Sequence, residues 1–141
     1  MRQRIRWTFV LLTAAMSAVM VIAMGGVAQA ASGSASGTGA SNSASWTWGT
    51  YSITGLSYRV SDTSCDSNDV YGYVEIYTSN SPNGEETTYR YNSSGCGTTV
   101  SYSGLSYSAN FRINGLRVAA CVDDAGSNTC YRSGYLDNPN T

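Results

Sequence analysis

The sequence predicts an all-β fold: a small antiparallel β-sandwich of about seven strands with two disulfides, preceded by a flexible N-terminal extension. Three observations predict it. From Trp46 onward, apolar or aromatic residues alternate with small polar ones, which is the period of half-buried strands, and helical spacing is absent from that part. Turn-forming clusters recur between these runs. Four cysteines, Cys65, Cys96, Cys121 and Cys130, fall in the same region.

The chain opens with Arg2, Arg4 and Arg6, continues with an apolar stretch from Trp7 to Met24, and reaches the small-residue sequence Ala28-Gln29-Ala30. This is the pattern of a secretory signal peptide, read as residues 1–30 with cleavage after Ala30. Thr8, Thr13 and Ser17 interrupt the apolar stretch, which favours cleavage over a retained anchor. Residues 31–44 contain only Ala, Ser, Gly, Thr and Asn, side chains too small to bury themselves. The reading therefore assigns 31–45 to the flexible extension and 46–141 to a single β-sandwich domain.

Within that domain, Trp46-Thr47-Trp48 begins a strand and Gly49 shifts its phase, as a bulge allows, before Tyr51 and Ile53 resume it. Leu56, Tyr58 and Val60 follow Gly55. In the next strand Val70, Gly72, Val74 and Ile76 share the core face, while Tyr71, Tyr73, Glu75 and Tyr77 share the other. Asn80 to Gly84 reads as a turn, with a hairpin partner at Thr87 to Tyr91. Thr98 to Tyr102 and Leu105 to Ile113 read as two further strands, and Asn114-Gly115 as another hairpin turn. Leu116 to Val122 is the most apolar segment of the domain and is expected to be a central strand buried on both faces. Asp123 to Asn128 reads as a loop and Cys130 to Leu136 as a short closing strand.

Exported cysteines are expected as disulfides. Four cysteines allow three pairings, and the favoured one is Cys121–Cys130 with Cys65–Cys96, because the eight residues between Cys121 and Cys130 are rich in turn formers and would close a hairpin. Zinc is disfavoured: no CxxC pair exists and the chain has no histidine.

Charge and composition exclude several functions. Without residues 1–30, five arginines face nine acidic residues, a net charge of −4, and the chain has no lysine. Neither nucleic-acid phosphates nor anionic lipid would be attracted, so no nucleic acid and no membrane is expected as a partner after cleavage. Missing histidine and lysine remove Ser–His, Cys–His, Ser–Lys and Schiff-base chemistry. The remaining acid–base candidates, Glu85-Glu86, Asp123-Asp124 and the run Asp62, Asp66, Asp69, all fall in expected turns, where carboxylates are ordinary solvated or capping groups. The run 62–69 also lacks the ligand spacing of an EF-hand. The expectation is a protein that is not an enzyme and uses no cofactor.

Binding is the class that remains. Eleven tyrosines against two phenylalanines favour surfaces that are half wet, and Tyr71, Tyr73 and Tyr77 would line one sheet face beside Tyr89 and Tyr91. The extension, tethered by Trp46 and Trp48, would act as a docking arm that enters a cleft or adds to a sheet edge of another protein. The candidate protein-binding residues are Ser41, Asn42, Ser43, Ala44, Ser45, Trp46, Trp48, Tyr51, Tyr71, Tyr73 and Tyr77. A secreted inhibitor of amylases or proteases, acting through Tyr89-Arg90-Tyr91 or the Asp123–Asn128 loop, is the alternative. A carbohydrate-binding module using Tyr71, Tyr73 and Tyr77 is the third reading.

The signal ending Ala28-Gln29-Ala30, the polar tail, Trp46-Thr47-Trp48-Gly49 and the segment Leu116 to Cys121 with Cys130 nearby together resemble the small adaptor subunit of the umbrella toxin particles of actinobacteria. The resemblance implies a secreted scaffold in a toxin complex. Its extension would enter the cleft of a trypsin-like, lectin-bearing subunit, and its body would attach to a repeat-containing toxin subunit.

Overall fold

In the computed structural model, which describes residues 28–141, ten strands form two antiparallel sheets, and no helix occurs among the described residues. The strands are β1 (Gln29–Gly37), β2 (Ala40–Trp48), β3 (Ser52–Asp62), β4 (Val70–Thr78), β5 (Glu85–Glu86), β6 (Arg90–Asn92), β7 (Thr99–Ser108), β8 (Ile113–Val122), β9 (Thr129–Arg132) and β10 (Leu136–Asp137). The first sheet has the order β1-β2-β3-β7. In the second, β4 and β8 pair at the centre, β5 and β6 flank β4, and β9 and β10 flank β8. The sheets pack face to face as a sandwich, the expected class. Of the residues read as a signal peptide, 1–30, the first 27 lie outside the described residues, and Gln29 and Ala30 begin β1.

The flexible extension is corrected. Residues 29–48 form a hairpin with nine consecutive paired residues, from Gln29 opposite Trp48 to Gly37 opposite Ala40, closed by Thr38 and Gly39. Gly39 sits at φ 91°, the left-handed backbone a two-residue hairpin turn requires. The hairpin is held by packing that only small side chains permit. Ala31, Gly33, Ala35 and Gly37 alternate toward the second sheet, and a Cβ on Gly33 would lie 2.7 Å from Leu136 Cδ1. One on Gly37 would lie 2.2 Å from the Tyr131 ring. The folded domain therefore begins at β1, not at Trp46. Cleavage after Ala30 would leave Ala31–Gly37 of that strand in place.

Trp46 and Trp48 are core residues, stacked edge to face with ring centroids 5.4 Å apart. They meet Ile53, Leu56, Tyr58 and Val60 from β3, and Val70, Val74, Ile76, Leu116 and Val118 from the opposite sheet. The phase change expected at Gly49 is a turn, with Gly49 N–H donating to Ser52 O at 2.8 Å. The bulge lies farther on, at Gly55, where φ is 57° and the pairing of β3 with both neighbours shifts. Residues 99–108 form one strand rather than parts of two, because Gly104, at φ 70°, absorbs the irregularity within it. Asn114-Gly115 is no hairpin turn: both residues lie inside β8, where Gly115 pairs with Tyr77 and Asp137. The partner expected at Thr87–Tyr91 is split into β5 and β6, which both pair with β4.

Three buried asparagines fasten the two layers. Asn42 Nδ2 crosses from β2 to Ala119 O on β8 at 2.9 Å, in space that exists because Gly72 has no side chain: a Cβ there would lie 2.4 Å from Nδ2. Asn92 reaches from β6 to Val60 O, and Asn138 donates to Gly49 O and Ile113 O. Each amide donates to interior main-chain carbonyls of another strand or turn, although Asn42 Oδ1 is itself buried without a hydrogen-bond partner.

Both disulfides have the favoured pairing, Cys65–Cys96 and Cys121–Cys130. Cys121 and Cys130 are cross-strand partners on β8 and β9, whereas Cys65–Cys96 ties the β3–β4 loop to the β6–β7 loop. Loop entropy alone predicts that replacing Cys65 and Cys96 by serine lowers stability by about 3.5 kcal/mol and replacing the other pair by about 2.5 kcal/mol. Urea titration of the two double variants checks that order; a larger loss from the shorter loop would show that strain or packing dominates.

Candidate functional site

On the outer face of the second sheet, β4 presents Tyr71, Tyr73, Glu75 and Tyr77 in alternation, as the sequence predicts. The face is not an open stripe, however. Tyr71 and Tyr73 are almost wholly buried, because the segment running into β6 lays Tyr89 and Tyr91 over them. Ring centroids are 4.9 Å apart for Tyr71–Tyr89, 5.1 Å for Tyr71–Tyr91 and 5.0 Å for Tyr73–Tyr89. The exposed rings of the cluster are Tyr89 and Tyr91, each about 40% exposed.

A polar network runs along the margin of this cluster. Tyr73 Oη donates to Glu86 Oε1 at 2.9 Å and Tyr89 Oη donates to Glu86 Oε2. Arg132 donates through Nε to Glu75 and through Nη2 to Tyr73 Oη at 3.0 Å, and its Nη2 lies 3.6 Å from Glu86. Tyr77 Oη closes the chain on Glu75 Oε2 at 2.9 Å. Glu75 and Glu86 are cross-strand neighbours, so two like charges share one guanidinium. Bonding to Glu75 raises the Arg132 pKa further, which keeps that guanidinium charged.

Phenols that donate to carboxylates resist ionisation. Burial, then the bond to Glu86, raises the Tyr73 pKa. For Tyr89 the Glu86 bond is the main cause and burial the second, and its pKa is pushed up to about 12. A raised acid pKa stabilises the fold fully below the unfolded tyrosine value near pH 10, and that contribution is lost as pH rises toward 12. Tyrosinate absorbance is expected to show a late phase near pH 12 that disappears in Tyr89→Phe. Persistence of that phase in the variant would assign it to another residue.

The other sequence candidates fall in different places. Ser41, Ser43 and Ser45 point outward from β2, on the exposed face of the first sheet with Ser32, Ser34 and Ser36 of β1. Asn42, Ala44, Trp46 and Trp48 point inward and are buried, so their side chains are not available to a partner. Tyr51 is 53% exposed at the β2–β3 turn, far along the chain from the tyrosine cluster. Tyr77 is half-buried, edge to face with Tyr135 at 5.1 Å and under the guanidinium of Arg117. Sequence periodicity does not mark Glu86 or Arg132 as binding residues; their signal is register, since Glu86 pairs with Glu75 only once β5 is aligned.

The acidic run 62–69 works as loop caps. Asp62 Oδ1 accepts from Ser64 N and Asp66 Oδ1 from Asn68 N, both Asx turns, and Asp69 Oδ2 accepts from Ser93 Oγ. Asp124 accepts from Asn68 and Thr129. Among the described residues no group of three or more His, Cys, Asp or Glu is placed to hold a metal ion.

The first sheet supplies the second surface of interest. Its terminal strand β1 pairs with β2 alone among the described residues, leaving the other edge of nine residues open. That edge carries no charge and no proline, and its register is unbroken. The opposite edge, β7, is interrupted by Gly104 and by register shifts against β3. Natural proteins usually blunt such edges with charges, prolines or bulges, and β1 has none of them.

No protein-family model matches the chain, and no curated protein or solved structure matches it significantly. Two disulfides, and no helix among the described residues long and apolar enough to cross a membrane, are compatible with an extracellular protein.

Proposed function

We propose that this chain is an exported, non-catalytic adaptor that docks other secreted proteins along the open edge of β1. The observation that supports it is that edge: nine residues, uncharged, free of proline and bulges, with exposed serines that do not obstruct an incoming strand. Strand addition supplies main-chain hydrogen bonds worth about 0.5–1.5 kcal/mol each, and small side chains let the partner choose the register. The signal-like start of the chain supports export. The resemblance to umbrella-particle adaptors supports a toxin complex as the setting, with a trypsin-like, lectin-bearing subunit and a repeat-containing toxin subunit as partners. There the docking element is the edge of a folded hairpin, not a free arm.

The test is recovery of partners from culture supernatant by the tagged protein. Ser32→Lys with Ser34→Lys places two charges on β1 without touching the core and is expected to abolish recovery, while Ser101→Lys on β7 retains it. Equal recovery by all three proteins sinks the edge-docking reading.

A further inference from the structure

We propose that the outer face of the second sheet also binds an uncharged polysaccharide, with Tyr89 and Tyr91 as the stacking surface and Glu86 and Arg132 as the polar partners. Tyr91 lies on the edge strand β6 and Tyr89 two residues earlier in the segment that enters it, about 7 Å apart for extended chain, so the rings offer successive platforms to a linear chain. They are held in place beforehand. Tyr71 lies against both rings, Tyr73 lies against Tyr89, and the Tyr89 hydroxyl is fixed by Glu86. Binding therefore costs little side-chain ordering.

The margin has the chemistry of a diol receptor. Arg132 uses Nε and Nη2 within the protein, and its Nη1 makes no hydrogen bond among the described residues. Each Glu86 oxygen accepts one phenolic hydrogen and retains a second lone pair. The two side chains are 39% and 41% exposed and lie 3.6 Å apart at their nearest ion-pair atoms. A donor and an acceptor side by side suit vicinal hydroxyls, each of which both gives and takes a hydrogen bond. The aliphatic faces of a pyranose ring meanwhile suit tyrosine rings. A shallow, open depression lined by Glu86, Thr87, Thr88 and Tyr89 adjoins the Tyr89 ring.

Charge selects the class of glycan. Glu75 and Glu86, with Asp69 and Asp123 near Tyr91, outnumber Arg132 and Arg117, and the chain without residues 1–30 carries −4, so an acidic polysaccharide would be repelled. This site lies on the other sheet from the β1 edge and does not depend on it.

Co-sedimentation with insoluble cellulose, chitin, xylan and starch, followed by calorimetric titration with the matching oligosaccharide, tests the proposal. Binding to at least one uncharged polymer is expected, weakened about fivefold by Tyr89→Ala or Tyr91→Ala, since loss of one stacking ring removes on the order of 1 kcal/mol. Tyr89→Phe keeps the ring and is expected to retain binding, and Tyr51→Ala, on an exposed ring elsewhere, serves as a control. Unchanged thermal midpoints show that the exposed-ring variants fold. No binding to any of the four polymers, or binding indifferent to loss of both rings, overturns the proposal, as does a preference for an acidic polymer such as pectate.

Discussion

A chain lacking residues 31–45 is expected not to fold. The deletion removes most of β1 and β2, half the strands of the first sheet, together with the buried Ala35, Ala40, Asn42 and Ala44. Trp46 would lose the strand lying opposite it, and β3 would become an edge with Tyr58 and Val60 still facing the core. The total stability of a domain this size is about 5–15 kcal/mol, and losing two strands exceeds that. Near-ultraviolet circular dichroism should be lost and urea unfolding should show no cooperative transition. A cooperative transition at the parent midpoint would restore the flexible-extension reading. For the same reason the deletion cannot probe docking, because any lost interaction would follow from unfolding; charged substitutions at Ser32 and Ser34 leave the core intact and can.

That hairpin shows where the sequence was legible and where it was not. Strand periodicity from Trp46 onward was carried by large side chains, and β3, β4 and the Leu116–Val122 part of β8 fall where it places them. Residues 31–45 alternate just as strictly, with Ala or Gly at nearly every odd or even step and serine between, around Thr38-Gly39. Hydrophobic periodicity misses such a strand because Ala and Gly bury almost no apolar area of their own. What they supply is closeness: Gly33 under Leu136 and Gly37 under Tyr131 let the sheets approach, and that need arises only when both sheets exist. A turn signal flanked by two strictly alternating small-residue runs was the available clue.

The tyrosine face was legible in outline and misassigned in detail. Alternation along β4 places Tyr71, Tyr73 and Tyr77 opposite the core, which is correct. Their exposure depended on what covers the face, and that is decided by a connection between two very short strands. Once Tyr89 and Tyr91 stack over the first pair, burial passes to Tyr71 and Tyr73 and accessibility to the rings above them. No local pattern in residues 85–92 encodes that crossing. The asparagine fasteners were equally hidden, because a buried asparagine and a turn asparagine look alike until their carbonyl partners arrive from distant strands.

Asn92→Ala is expected to be the most damaging single substitution among these fasteners, at about 3–4 kcal/mol. The amide is fully buried and donates to Val60 O at 3.1 Å and Thr98 O at 3.0 Å, while its oxygen accepts from Ser94 N at 3.0 Å and Thr98 Oγ1 at 3.2 Å. Truncation leaves several polar groups without partners and opens a cavity between β6 and β3. Asn92→Asp conserves the shape but sets a carboxylate against two carbonyl oxygens, so it should be worse than alanine near neutrality. Its carboxyl pKa is then raised in the folded state, so stability should return as pH falls and the group protonates to donate again. Asn138→Ala should cost less, because its side-chain oxygen accepts only from Asn140 N in the chain's last turn. Urea midpoints of the three variants, with Asn92→Asp repeated at acid pH, check these orders; an Asn92→Ala midpoint within about 1 kcal/mol of the parent would show that water replaces the amide. Cys96 lies in the same loop, four residues on, and its bond to Cys65 restrains the same corner. Losses from Asn92→Ala and from removal of that disulfide should therefore not add, since once either restraint is gone the loop no longer holds the geometry the other needs.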